Sequence, residues 1–479
     1  MKRLAIINVV GLTESLVGEH TPHIAEFHKH GSLAQIAPAF PAVTCAAQSN
    51  YLTGKTPSHH GIVGNGWFNR ELAEVQFWKQ SNHIVHGKKI WDGLRETIAF
   101  ATRHPSPVTS ANCFWWFNMY SSVDYSITPR PIYPADGRKF FDIYAWPYSI
   151  REGIKQDLGE FPFFGFWGPA AGVDSPQGKA DCASRWIAES AKWIENKFSP
   201  TLNLIYLPHL DYNLQRHGTY DTSGNLNPKI HRDLRDIDAI VGDLIDFFGQ
   251  RGVQVVLLSE YGITNVDTPV HLNRIFRERG WLTVKDELGL EILDAGASKV
   301  FAVADHQIAH IYLNDFTLEN SVREVLKKTS GVENVLSNAE KIAAGIDHQR
   351  SGDLIAVAKE NAWFTYYYWL DDARAPDFAR TVDIHRKPGY DPVELFLDPK
   401  IPLPKLKIAW RLLQKKLGFR RLMDVIPLDA TLVKGSHGRR PADKKDWPVL
   451  ITKQPEILGA KQIESTDVFQ ILLRHFGAP

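Results

Sequence analysis

Three short stretches of the chain, LAIINVV (4–10), LNLIYL (202–207) and VQVVLLS (253–259), are apolar almost throughout, without the alternation of a half-exposed strand. Runs of this length and β-branched content predict strands buried on both faces. Among the segments between and around them, KADCASRWIAESAKWIENKF and KIHRDLRDIDAIVGDLIDFFGQ place apolar residues three and four positions apart, which predicts amphipathic helices. Strand and helix in alternation predict an α/β fold: a mostly parallel central sheet with helices on both faces. Ligands of such sheets bind beyond the carboxyl ends of the strands, so the residues that follow each run are the ones to read for chemistry.

Two stretches break the rhythm. The first, about 101–166, is dense in aromatics and prolines and reads as an irregular packed insertion; the second, about 347–434, carries AWFTYYYWLDD and a basic segment and reads as a cap. With no internal repeat or low-complexity tract, residues 1–479 are expected to form one α/β domain bearing both insertions.

The polar residues at the strand ends are Asn8 within the first run, Asp211 after the second, and Glu260 and Tyr261 after the third. Between the first two runs lies FPAVTCAAQSNYLTGKTPSHHGIVGN (40–65), where Thr44 falls at the turn into a helix through Gln48, Asn50 and Tyr51. A hydroxyl there faces free backbone N–H groups and the positive end of the helix dipole. It serves either as a plain N-cap or as a nucleophile or phosphate contact. Cys45 reads as a small buried residue, and His59 and His60 as turn histidines.

Composition narrows the partners. A net charge of +1 supplies no global field for a nucleic-acid polymer. Three cysteines without a CxxC pair suit a reducing compartment. The opening MKRLAIINVVGLT is too short and β-branched for a signal peptide, and no run approaches the roughly 18 apolar residues of a membrane span. A soluble cytoplasmic protein is expected.

The order Phe40-Pro41, Thr44, Thr53-Gly54, Pro57, His60-Gly61-Ile62 and Asn65 resembles the nucleophile segment of the alkaline phosphatase superfamily, most closely its nucleotide pyrophosphatase/phosphodiesterase branch. LVKGSHGRRP (432–441) resembles a later segment of that family and puts His437 in a metal-ligand position, while ESTDVFQILLRHFG resembles its final helix. The resemblance implies an alkaline-phosphatase-like sandwich, with Thr44 as nucleophile. It also implies divalent metal, two zinc ions in the family, to polarise the phosphoryl group and activate the threonine.

The ligand pattern departs from the family's at several places. Its Asp-Gly after the first strand reads Val10-Gly11; Asn8, two residues earlier, either substitutes or pairs with backbone. Its Asp with a His four residues on reads Asp211 and Gln215, with His217 a substitute if the loop is extended. Its Asp-His-Gly reads Glu260-Tyr261-Gly262. Asp211, His437 and Glu260 are thus expected to hold metal, with Asn8, Gln215, His217 and Tyr261 as accessory groups. That set suffices for one ion rather than two, zinc or else manganese or iron. His306, His348, Arg350, His385 and Arg386 are candidates to neutralise a phosphate, or else ordinary ion-pair and turn residues.

The expected function is that of a metal-dependent phosphodiesterase or nucleotide pyrophosphatase acting on a small-molecule phosphodiester or pyrophosphate. The missing ligands keep open a weakly active or inactive member that binds a phosphorylated or lipid-linked ligand, and a phosphomutase or phosphotransferase is a further alternative. Residues 405–421, KLKIAWRLLQKKLGFRR, carry seven cations and no acid. They read either as an interfacial helix at an anionic membrane or as a helix docked on the core with a solvated face.

Overall fold

The computed structural model describes residues 2–102, 108–136, 138–172 and 183–477. The predicted runs become β1 (Leu4–Val9), β6 (Leu202–Leu207) and β7 (Gln254–Leu258), buried except at Gln254. They belong to one sheet with β2 (Ser32–Ala37), β3 (Ser110–Cys113), β4 (Tyr125–Pro129) and β5 (Ile143–Trp146). A second sheet follows, of β8 (Val300–Asp305), β9 (Ile308–Leu313), β10 (Val332–Leu336) and β11 (Leu354–Ala358). The chain then returns to the first sheet with β12 (Val449–Thr452) and β13 (Gln462–Glu464).

The order across the central sheet is β13-β2-β12-β7-β1-β6-β3-β4-β5. β1 runs parallel to both β6 and β7, so their carboxyl ends open on one edge; β12 is antiparallel to its neighbours. The helices that matter here are α1 (Thr44–Thr53), α2 (Ala183–Phe198), α3 (His209–His217), α4 (His231–Gly249), α5 (Pro404–Lys416) and α6 (Asp467–Arg474). α2 and α4 are the helices read from periodicity, and α6 is the final helix. Positions 179–182 of the first predicted helix lie outside the described residues.

The aromatic stretch at 101–166 is not simply an irregular insertion, because β3, β4 and β5 extend the central sheet from within it. Four or five residues each, these strands lack the long apolar run that betrays β1. Around the central sheet lies one hydrophobic core, and around β8–β11 a second. The second takes Tyr366, Tyr367, Tyr368 and Trp369 of the AWFTYYYWLDD stretch, all buried. Among the described residues, no helix is long and apolar enough to cross a membrane.

Candidate active site

Thr44 is the first residue of α1, after an extended Val43, and is buried. The parallel strands bring it to the ends of β1, β6 and β7, where its hydroxyl lies 3.1 Å from that of Tyr261. The Tyr261 hydroxyl in turn lies 3.2 Å from Asp211 Oδ1, on the first turn of α3. Thr44, Tyr261 and Asp211 therefore form one connected line of oxygens.

Glu260 lies beside this line without exposure to solvent. One of its oxygens accepts from both Asn8 Nδ2 and Gln48 Nε2 at 2.5 Å, and the other has no partner among the described residues. Asn8 thus reaches a carboxylate side chain rather than the backbone. Gln48 also accepts from the Trp116 N–H at 2.6 Å, which ties the aromatic stretch to α1. Gln215 donates to Asp211 Oδ2 at 2.8 Å and accepts from the Tyr390 hydroxyl at 3.1 Å. Gln215, then, faces Asp211; His217 ends the same helix two residues on, where its carbonyl accepts from Asn227.

His437 Nδ1 is 2.8 Å from the Ala42 carbonyl, and its Nε2 is 3.8 Å from Asp211 Oδ1. Its ring stands in a pile of four. Tyr261, His437, His306 and Tyr390 succeed one another with 3.6 Å between ring centroids at each step. Asp305, next to His306, accepts from both the backbone and the carboxamide N–H of Asn65, at 2.7 and 3.0 Å. The second sheet is thereby fastened to the threonine-bearing segment.

Burial governs the titration of these groups. It raises Asp211 to about 7 against the hydrogen bonds from Tyr261 and Gln215, and Glu260 to about 8 against those from Gln48 and Asn8. Asp305 rises to about 7 for the same reason, while His437 is lowered to about 3 and stays neutral.

Of the other predicted residues, His306 joins the site. Arg350 donates to the carbonyls of Gly61 and Ile84 at 2.8 Å and, with Lys79 and Arg130, lines a cavity of about 380 Å³ beside the hairpin Gly66–Asn69/Glu74–Phe77. His348 lies near His86 and Gly61 on that side. Arg386 pairs with Asp377 at 3.4 Å, and among the described residues no hydrogen bond or ion pair joins it or His385 to Thr44. The sequence reading missed Gln48, Tyr206 and Tyr390. Gln48 is four residues after Thr44 and hence on the same helix face, a usable signal. Tyr206 sits opposite Asn8 in register at the end of β6, beside the site, but only the pairing of β1 with β6 reveals that.

The donor set was tested against the metal implied by the resemblance, and it does not fit. A valine, an amide and a phenol, Val10, Gln215 and Tyr261, stand at three expected ligand places, and Asn8 adds only a neutral amide. Asp211 accepts from Tyr261 and Gln215, and the described residues contain no group of three His, Cys, Asp or Glu able to hold an ion. Asp211, Glu260 and His437 therefore do not form the expected single metal site; a zinc site needs at least three converging protein donors.

Comparisons with known proteins agree with the fold. Murine ectonucleotide pyrophosphatase/phosphodiesterase 5, in an inactive form with AMP, superposes with a TM-score of 0.58 at 14% identity, over 100% of this chain and 96% of that one. Phosphonoacetate hydrolase from Sinorhizobium meliloti, with phosphonoformate, gives 0.57 at 13% identity, over 99% and 95%. A protein of Schizosaccharomyces pombe named as an uncharacterized pyrophosphatase/phosphodiesterase is 24% identical over 232 residues, 48% of this chain. The match spans only 37% of that relative's length. The description of the type I phosphodiesterase / nucleotide pyrophosphatase family matches residues 4–391, and the chain belongs to that family.

Proposed function

We propose that the protein is a phosphoester hydrolase of the phosphodiesterase/pyrophosphatase type, with Thr44 as nucleophile and a small-molecule phosphodiester or pyrophosphate as substrate. The observation that carries this reading is the line Thr44, Tyr261, Asp211, with contacts of 3.1 and 3.2 Å. As the Thr44 oxygen attacks phosphorus, its proton passes to the Tyr261 oxygen while the Tyr261 proton passes to the Asp211 carboxylate. With its pKa near 7, Asp211 is partly ionised at neutral pH and suits a general base. The ester or pyrophosphate oxygen leaves as the P–O bond to Thr44 forms. Water then attacks the phosphothreonine, and a proton returns along the same line to the threonine oxygen. The amino end of α1 faces the charge that develops on the phosphoryl oxygens.

A second reading, a binder of phosphorylated ligands with little turnover, is favoured by one observation. Thr44, His306 and His437 are all at most 5% exposed, and Asn8, Gln215 and Tyr261 are neutral. Hydrolysis of bis-p-nitrophenyl phosphate decides between them. Loss of turnover by about 10³-fold or more in Thr44→Ala supports the nucleophile, on the scale known for removal of catalytic groups. Equal rates in both proteins, or none in either, favour the binder.

A further inference from the structure

Helix α5 presents its side chains in an unusual order. Lys407 and Arg411 turn toward the protein and pair with Asp424 at 3.0 and 3.1 Å, while Ile408 packs against the second core. Leu403, Leu406, Trp410, Leu413 and Leu417, three and four residues apart, lie 45% to 65% exposed. A surface helix ordinarily turns its apolar stripe inward and its charges outward. Here the stripe points away from the protein, and no residue of the helix is fully buried.

Charge surrounds the stripe. Lys405, Lys415, Lys416, Arg420 and Arg421 are exposed, and the segment 403–422 contains no acid. Phe419 and Leu422 add exposed apolar surface beyond the helix. Arg420 reaches the Asp136 carbonyl at 3.5 Å, beside Ile132, Tyr133 and Phe140, each about half exposed. Lys139 lies over the rings of Tyr133 and Phe141, so this neighbour repeats the pairing of exposed apolar groups with cations.

We propose that α5, with this neighbouring loop, docks on an anionic lipid surface, the leucines and Trp410 entering the headgroup boundary and the lysines and arginines meeting the lipid charge. An apolar stripe flanked by cations and carrying tryptophan is matched to that boundary. A second copy of the chain is a poorer occupant, since it would bring the cations of one helix against those of the other. The proposal is independent of turnover at Thr44.

Vesicle flotation of the full chain tests it, with phosphatidylcholine vesicles alone or containing phosphatidylserine. Flotation is expected with the serine-lipid vesicles at low salt, with loss as salt rises. The pair Lys415→Glu and Lys416→Glu should weaken binding about 25-fold or more, at roughly fivefold per cation removed. The pair Trp410→Glu and Leu413→Glu should abolish it with unchanged circular dichroism, as these side chains are exposed. The proposal is overturned if the folded wild type fails to float with anionic vesicles or floats equally with neutral ones. It is also overturned if light scattering shows a dimer that the Trp410/Leu413 pair converts to monomer, since a second copy then covers the stripe.

Discussion

Replacing Asp211 by Asn isolates the electrostatics of the site. In the unfolded chain this carboxyl titrates near 3.8 and in the folded protein near 7, with burial as the cause. An acid raised on folding is stabilising while protonated, so stability falls as pH climbs from about 4 to 7 and the loss is complete above 7. About three pH units at ~1.4 kcal/mol each gives roughly 4 kcal/mol for ionised Asp211 at high pH. Asn keeps the shape and can still meet Gln215 and Tyr261, whose hydroxyl is free to donate to Thr44. Asp211→Asn should therefore gain on wild type by roughly 2.5 kcal/mol between pH 5 and pH 8, the part of the shift that falls in that window. Urea denaturation of both proteins at the two pH values measures this. A variant less stable than wild type at pH 8, with chelator lowering the wild-type melting temperature, would refute the reasoning. Asp211 would then be ionised and held by a cation.

Two further perturbations test the frame around the site. Lys387 is fully buried and donates to Asp391 and Glu394 at 2.7 Å each, so Lys387→Met should cost about 3–5 kcal/mol in chemical denaturation by leaving buried carboxylates unpaired; a loss under about 1 kcal/mol would mean they are neutral. Gly435 lies where a Cβ would come within 2.1 Å of the Leu214 carbonyl, between α3 and His437. Gly435→Ala should lower stability by about 1–3 kcal/mol, measured by thermal melting, because backbone must move to admit the methyl.

What could be read in advance followed from local signals. Strands buried on both faces advertise themselves by unbroken apolar runs, so β1, β6 and β7 were legible, and with them the edge where Asp211 and Glu260 lie. Thr44 was legible because several fixed spacings around it match together. The second sheet was not, since VFAVADHQIAHIYL holds two adjacent strands with His306 at their turn and offered only an Asp-His pair to notice. Nor was the ring pile, whose members come from separated parts of the chain and meet only in three dimensions. The expected metal site failed for the same reason. Sequence showed which donors remained, but only the structure showed that Gln215 and Tyr261 bond to Asp211 while Asn8 and Gln48 share one oxygen of Glu260.

The ring pile also bears on how the molecule holds together. Tyr261 belongs to the core of the central sheet and Tyr390 to that of the second sheet, with His437 and His306 between them. Parting the two cores would break the pile at one of its three ring contacts, at a cost of about 0.5–1.5 kcal/mol. The site is therefore also the seam of the fold, and loosening the distant second core is felt at Thr44 as an unstacking of rings. In hydrogen exchange, the amides around Asn65 and those at the β8–β9 turn should open as one unit, with a shared free energy, although some 240 residues of chain lie between Asn65 and Asp305.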